Sequence, residues 1–338
     1  MSAISDIVDR LRGLQVDALL GLRPPYPPVA VEFDREEAVL VRVKHKRRGK
    51  PLLEAHAVRS VPTDCIPASI FQQPAGANTE LVGQLRELFE VTGTRPGRVS
   101  LVLPDNLAKV SLLTLPERPA SQRQLDELVR SKMRRAVPFR LEEAKISYQL
   151  LPAEGRQVGV LVLLVRKNLV DRFEQALGAL GARVGLIDIS TPNLINLYRP
   201  RLAAACRDGK DVALLNCASN YFSLVIVRNE RLIFFRCKTF STESRPTNGS
   251  NGFLVREVAS SFSYYREKLA GQGVEHVFVR GLHAPFEEIA SKLDGLELPQ
   301  VESIDPTVDL ELPPGERIDA RMAQRIAPAL GAAAGRLR

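Results

Sequence analysis

Tryptophan is absent from the 338-residue chain, aromatic residues make up only 6%, and no glycine occurs from Val29 to Arg48. The four cysteines, Cys65, Cys206, Cys217 and Cys237, form no C-x-x-C pair. That spacing supports neither a zinc site nor a disulfide framework and fits a reducing cytoplasm. The longest purely apolar run, Val160–Val165, is far short of the ~20 residues a membrane-spanning helix needs. Met1–Leu20 mixes aspartates with arginines, so it does not read as a signal peptide. A Walker-type phosphate loop, the zinc-protease H-E-x-x-H and the hydrolase G-x-S-x-G are all missing. His45, His56, His276 and His283 stand apart from one another, and Asp188 and Ser190 have no histidine near them in sequence. Hydrolytic and metal chemistry therefore lack their usual residues.

What is present is ordinary globular composition, 45% hydrophobic and 25% charged, in a chain long enough for two domains. The net charge of +8 suits acidic partners such as an acidic protein or an anionic lipid surface. The stretch Val29–Val43, V-A-V-E-F-D-R-E-E-A-V-L-V-R-V, reads as strand, tight turn, strand. A less polar hairpin recurs at Val212–Phe235. Residues 3–20 place Ile4, Ile7, Val8, Leu11 and Leu14 at helical spacing, and the prolines of Gly21–Pro28 make a stiff linker. The basic tip Lys44–Lys50 could meet anionic lipid, but no aromatics interleave it as base stacking requires, and no nucleic-acid partner is expected.

Helices are predicted over Thr79–Thr92 and Ser121–Ala136. In the second, Ser121 is the N-cap with Gln124 three residues on, and Leu125, Leu128, Val129 and Met133 form the inward stripe. Strands follow at Ala144–Leu151 and Val158–Val165, then a helix at Leu169–Leu180. Farther on, helices are predicted at Phe253–Leu269, Ala284–Leu293 and Ala320–Gly335, with a strand at Val274–Val279 and an acidic connector at Asp305–Ile318. These elements divide the chain into an N-terminal helix and linker (1–28), a first lobe (29–98), an inserted α+β subdomain (99–184) and a second lobe with a closing helix returning to the first (185–338).

The order of these pieces resembles the type IV pilus assembly protein PilM family, relatives of the divisome protein FtsA. The resemblance runs from about Val29 to Gly335. It is most specific at R-R-A-V-P-F-R-L-E-E-A-K-I-S-Y-Q-L-L (Arg134–Leu151), at S-S-F-S-Y-Y-R (Ser260–Arg266) and at L-G-A-L-G-A-R-V-G-L-I-D-I-S (Leu177–Ser190). It implies an α/β, two-lobed actin-like (ribonuclease H-like) fold with an FtsA-type insert. It also implies a cytoplasmic protein at the inner membrane that binds the short cytoplasmic tail of a PilN-like protein in a groove between first lobe and insert. A pilus assembly ATPase or an anionic membrane surface are further partners of that kind.

The family's first phosphate turn resembles G-I-D-I-G-S-S-S, whose glycines let backbone N–H groups approach phosphates. Here the matching residues are Ala30-Val31-Glu32-Phe33-Asp34-Arg35-Glu36-Glu37. Glu32 keeps a carboxylate, Asp34 stands where glycine is expected, and Arg35 could offset one charge. In the second turn Asn216-Cys217-Ala218 replaces an Asp-x-Gly, and Tyr221 and Phe222 replace small hydroxyl residues. The adenosine segment Val277–Leu282 keeps only Gly281. A carboxylate ~4 Å from a phosphate oxygen costs ~4 kcal/mol at an effective dielectric of ~20, about three decades in affinity. Glu32, Asp34, Arg35, Asn216, Ala218 and Gly281 are therefore expected to line a degenerate nucleotide cleft, with no catalytic residue, no metal ligand and no ATP or magnesium cofactor. The alternative is an ordinary PilM-type ATPase switch whose cleft closes on nucleotide.

Overall fold

The computed structural model describes residues 26–46, 49–151, 156–206, 210–229, 231–240, 252–282, 284–296, 298 and 300–335. The expected N-terminal helix over 3–20, and the linker as far as residue 25, lie outside the described residues.

The first sheet contains β1 (Val29–Phe33), β2 (Glu37–Lys44), β3 (Leu52–Ser60), β4 (Arg98–Leu103) and β8 (Arg183–Ile189), in the order β3-β2-β1-β4-β8. β1, β2 and β3 form an antiparallel meander, while β1, β4 and β8 run parallel. The second sheet repeats this plan. β9 (Asp211–Cys217), β10 (Tyr221–Arg228), β11 (Arg231–Thr239), β12 (Val274–Gly281) and β13 (Val301–Ser303) lie in the order β11-β10-β9-β12-β13, again three antiparallel strands and then two parallel ones. β1 and β9 are buried along their whole length. Helices on both faces of each sheet explain why these strands read as near-continuous apolar runs.

On one face of the first sheet, Val31 and Phe33 pack against α1 (Asn78–Val91) and α3 (Lys167–Gly178), with the Phe33 and Phe173 rings stacked at 4.4 Å. On the other face, Ala30, Val39 and Val41 meet Ile326 and Leu330 of the closing helix α7 (Ala320–Ala334). In the second lobe, α5 (Gly252–Lys268) and α6 (Phe286–Leu293) cover one face. α4 (Ser190–Ala205) covers the other through Leu194 and Tyr198, in a cluster that also holds Ala327 of α7. α4 and α7 cross where Gly331 meets Asn193; a Cβ at Gly331 would lie 2.1 Å from the Asn193 carbonyl oxygen. The small-residue run of α7 thus lets two helices approach closely between the lobes. Among the described residues no helix is long and apolar enough to cross a membrane.

Between β4 and β8 the chain builds a separate three-stranded antiparallel sheet from β5 (Ala108–Leu115), β6 (Ala144–Leu150) and β7 (Val158–Arg166), in the order β5-β7-β6, backed by α2 (Gln122–Met133). The Ser121 hydroxyl accepts from the Gln124 N–H at 3.2 Å, the cap read from the sequence. Leu125, Val129 and Met133 are buried, but Leu128 is 37% exposed and does not belong to the inward stripe. The bounds 99–184 also need correcting. Val99–Leu103 and Val184–Ile189 are strands of the first sheet, and α3 packs on the first lobe's core. The three-stranded sheet spans 108–166. Val99–Leu103 looks like part of the insertion and Val184–Ile189 like the start of the second lobe when pairing is unknown, but both belong to the first sheet.

Two lysines of the basic hairpin tip are engaged by the connector. Lys46 pairs with Glu311, Lys50 donates to the Val308 carbonyl, and Leu53 and Glu311 tie the connector to the start of β3. Positions 47 and 48 lie outside the described residues.

The α4–α7 crossing gives a direct expectation. Gly331→Ala places a methyl group against backbone, and overpacking of this kind costs roughly 2 kcal/mol or more. Urea unfolding measures it, and a loss below about 0.5 kcal/mol would show that the helices do not need this contact.

Candidate functional site

Ligands of open α/β sheets bind beyond the carboxyl ends of the parallel strands. In this chain the ends of β1, β4, β8, β9 and β12 converge between the lobes, and every site residue expected from the sequence lies there or beside it. Glu32, Asp34 and Asn216 are buried, at 2%, 6% and 0% exposure.

The first turn is closed by the Asp34 N–H donating to the Glu37 carbonyl at 2.8 Å. This leaves the Asp34 carboxylate facing the opposite lobe. Its Oδ2 accepts from the Ser219 hydroxyl at 2.6 Å and from the Ser219 N–H at 3.3 Å, while its Oδ1 accepts from the neighbouring Arg35 N–H at 2.6 Å. The aspartate standing in the glycine's place therefore holds the second turn by both backbone and side chain. Arg35 does not share in this, because its guanidinium is turned to the Ile66 carbonyl at 3.2 Å. Close by, the Asn106 amide donates to the Ala68 carbonyl at 2.7 Å and to Asn220 Oδ1 at 3.3 Å. Asn220 donates to the same Ala68 carbonyl at 3.2 Å.

A second network runs deeper. Glu32 accepts from the Ala329 N–H of α7 at 3.1 Å and from the Ser190 hydroxyl at 3.3 Å, and lies 3.8 Å from Arg280. Arg280, 1% exposed, donates to Asn216 Oδ1 at 3.1 Å and to the Gln324 and Arg325 carbonyls at 2.8 and 3.3 Å. Asn216 in turn donates to the Thr191 hydroxyl at 3.0 Å. Thr191 gives its hydroxyl proton to Asp105, whose other oxygen accepts the Thr191 N–H at 3.0 Å. Asp105 of the first lobe thus caps the N-terminus of α4, where a carboxylate also meets the favourable end of the helix dipole. At the rim Arg325 forms a two-point pair with Glu37.

Burial dominates the titration of these groups. It pushes Glu32 from 4.5 up to about 8, with Arg280 the strongest opposing pull. It also raises Asp105 against the pull of its Thr191 hydrogen bonds, and raises Asp188 to about 7. The Cys217 thiol is pushed up to about 12, which leaves it a protonated core group. Ala218 is buried, its N–H donating to the Tyr221 carbonyl. Gly281 has a packing reason of its own: a Cβ there would come within 2.7 Å of the Ala284 carbonyl and the Ile289 side chain.

The sequence reading did not single out Arg280, Asp105, Asn106, Thr191, Ser219 or Asn220. Arg280 left one signal, a lone charge in the apolar run V-F-V-R-G-L, which has to find partners where the strand is buried.

A hollow of about 770 Å³ opens on the insert and is lined by Arg134, Pro138, Phe139, Arg140, Glu143 and Arg166 among others. Arg166 lies over the Phe139 ring at 4.0 Å and donates to the Ile70 carbonyl at 2.8 Å. Ile70, from the loop after β3, is itself packed into the insert's core. The hollow therefore sits at the join of first lobe and insert. Val137, part of the insert's core, also lines it.

Two sheets of one topology, a close helix crossing between them and a cleft at their strand ends define a two-lobed actin-like protein. Residues 31–247 match the family described as type IV pilus assembly protein PilM, and the chain belongs to that family. A solved "PilM-PilN type IV pilus biogenesis complex" contains a chain that superposes with a TM-score of 0.75 at 20% identity, over 92% of this chain and 97% of that one. A Bacteroides thetaiotaomicron protein described as having an actin-like ATPase fold is also similar (TM-score 0.49, 10% identity, 83% and 92% covered). So is the cytoplasmic domain of EpsL, an inner-membrane component of the type II secretion system of Vibrio cholerae (0.47, 12%, 90% and 93%). No curated protein matches the chain in sequence.

The buried acids set a pH dependence. A carboxyl raised in the folded state holds a proton that the unfolded chain has released, so its contribution to stability is complete below about 4.5 and is lost as pH rises to about 8. Asp188 acts in the same direction. Glu32→Gln removes one such group, flattening the fall in unfolding free energy between pH 5 and pH 8 by about 1.4 kcal/mol per pH unit titrated. Parallel urea-derived curves for the two proteins would contradict the assignment.

Proposed function

We propose that this chain is a non-hydrolysing member of its family. It would act as a cytoplasmic docking scaffold at the periphery of the inner membrane and bind the short cytoplasmic segment of a PilN-like bitopic protein. The Asp34–Ser219 clasp is the observation that carries the reading. A triphosphate bound across an actin-like cleft takes its hydrogen bonds from the backbone of the two turns. Here the Ser219 N–H and hydroxyl already serve an internal carboxylate. Charge-assisted hydrogen bonds of this kind contribute about 1.5–3 kcal/mol each, and a phosphate would have to displace them while facing Asp34. The donors and the room that a nucleotide with magnesium requires do not fit this arrangement, so an internal acid does in this protein what a bound anion does in a nucleotide user.

With the cleft held shut from within, partner binding falls to the rest of the surface. The likeness to a chain of a PilM–PilN complex supports a PilN-like partner, and the hollow around Phe139 and Arg166 lies between first lobe and insert, where the resemblance puts the groove. Arginines 134, 140 and 166 outnumber glutamates 142 and 143 around it, which favours a segment carrying acidic residues.

Calorimetric titration with a synthetic N-terminal peptide of the PilN-like protein tests the partner. Micromolar binding is expected, weakened about tenfold by the surface change Arg140→Glu. Absence of heat, or an unaffected variant, would count against it. For the cleft, millimolar Mg-ATP is expected to move the melting temperature by less than ~1 °C, whereas stabilisation of several degrees would support the nucleotide-dependent switch.

A further inference from the structure

We infer that a groove at the outer end of the first lobe seats this chain's own N-terminal segment, residues 4–14. The groove measures about 520 Å³ and forms where α1 and α3 end. Phe89, Ala179 and Leu180 supply its apolar lining, with Arg86, Arg95 and Pro96 at its edges. Val91, at the end of α1, stands 61% exposed. β4 and β8 start at this end of the sheet with Arg98 and Arg183 side by side in register, both exposed. The surroundings are therefore apolar at the centre and rich in arginine, with Glu90 the acidic member of the lining.

The chain enters the fold at this same end. β1 runs parallel to β4 with Ala30 beside Ser100, so Val29 lies level with Val99. Arg42, the register partner of Val29, donates to the Gly93 carbonyl at 3.1 Å and to the Thr94 hydroxyl at 3.2 Å, in the turn that walls the groove. The described residues start at Tyr26, whose ring lies against Gly335 and fixes where the preceding chain departs. Residues 21–25 reach ~15 Å at the ~3.1 Å per residue of an extended proline-rich segment, which exceeds the ~10 Å thickness of a sheet layer.

The segment's chemistry complements the groove. Ile4, Ile7, Val8, Leu11 and Leu14 form a single stripe at helical spacing, and residues 2–20 carry three aspartates, at 6, 9 and 17, against two arginines. Aspartates beside the stripe suit an arginine-edged groove and oppose an anionic membrane surface. A tether this short also gives the segment an effective concentration in the millimolar range, which a second copy of the chain does not have.

Hydrogen exchange on the full chain, compared with a variant lacking residues 2–20, tests this. Backbone amides of 86–96 and 179–183 are expected to exchange about threefold faster or more in the truncated protein. The exposed substitution Ala179→Asp in the full chain is expected to reproduce that pattern with the remaining amides unchanged. Equal exchange in the two proteins would overturn the inference. So would protection that grows with protein concentration, as a second copy requires, or protection seen only with vesicles containing anionic phospholipid.

Discussion

A carboxylate caught between two lobes has to find its hydrogen-bond donors there, because water no longer supplies them. Asp34 finds them on Ser219, and most of the molecule is arranged so that it can. The tight turn after β1 aims the carboxylate across the cleft, and the turn after β9 presents an N–H and a hydroxyl to receive it. Asn106 and Asn220 close the same gap through a shared carbonyl. Deeper in, Glu32 and Asp105 could not be buried without Arg280, Asn216 and Thr191 passing hydrogen bonds from one lobe to the other. The deeper network is thus one connected set, and its members come from β1, β9, β12, α4, α7 and the turn beyond β4.

On the function proposed above, this arrangement changes what the cleft between the lobes is for. In a nucleotide-dependent relative of the fold, the anion that unites the lobes arrives from solution and leaves again. On the same proposal, the Asp34 carboxylate takes that place, so the relation of the lobes is set by folding. The close α4–α7 crossing at Gly331 reinforces it, since helices that touch through backbone have little freedom to slide. The insert is joined to the first lobe through Ile70 and Arg166, and on the proposed function this fixed join is suited to holding a partner's segment.

Much of the architecture was legible in the sequence. The paired hairpins, the Ser121 cap and the apolar runs of the central strands each reflect local chemistry that does not need the rest of the chain. The join of insert and first lobe was not legible at that level. Val99–Leu103 reads the same as the first strand of an insert or as a strand of the preceding sheet, and Val184–Ile189, assigned from sequence mostly to the second lobe, in fact pairs with it as the last strand of the first sheet. The site divided the same way. Glu32, Asp34 and Asn216 could be named because the resemblance sets them against the family's phosphate turns, whereas Ser219, Thr191 and Asp105 are unremarkable residues until the fold brings them against a carboxylate or a helix end. Arg35 adjoins the site in sequence, but its charge points elsewhere.

The clasp itself is open to a direct test by a double-mutant cycle on Asp34→Asn and Ser219→Ala, read by urea unfolding. If the two residues hold the lobes together as described, the coupling free energy is about 1.5–3 kcal/mol, the range of a charge-assisted hydrogen-bonded pair. Effects that add to within about 0.5 kcal/mol would show that the carboxylate and the serine act independently.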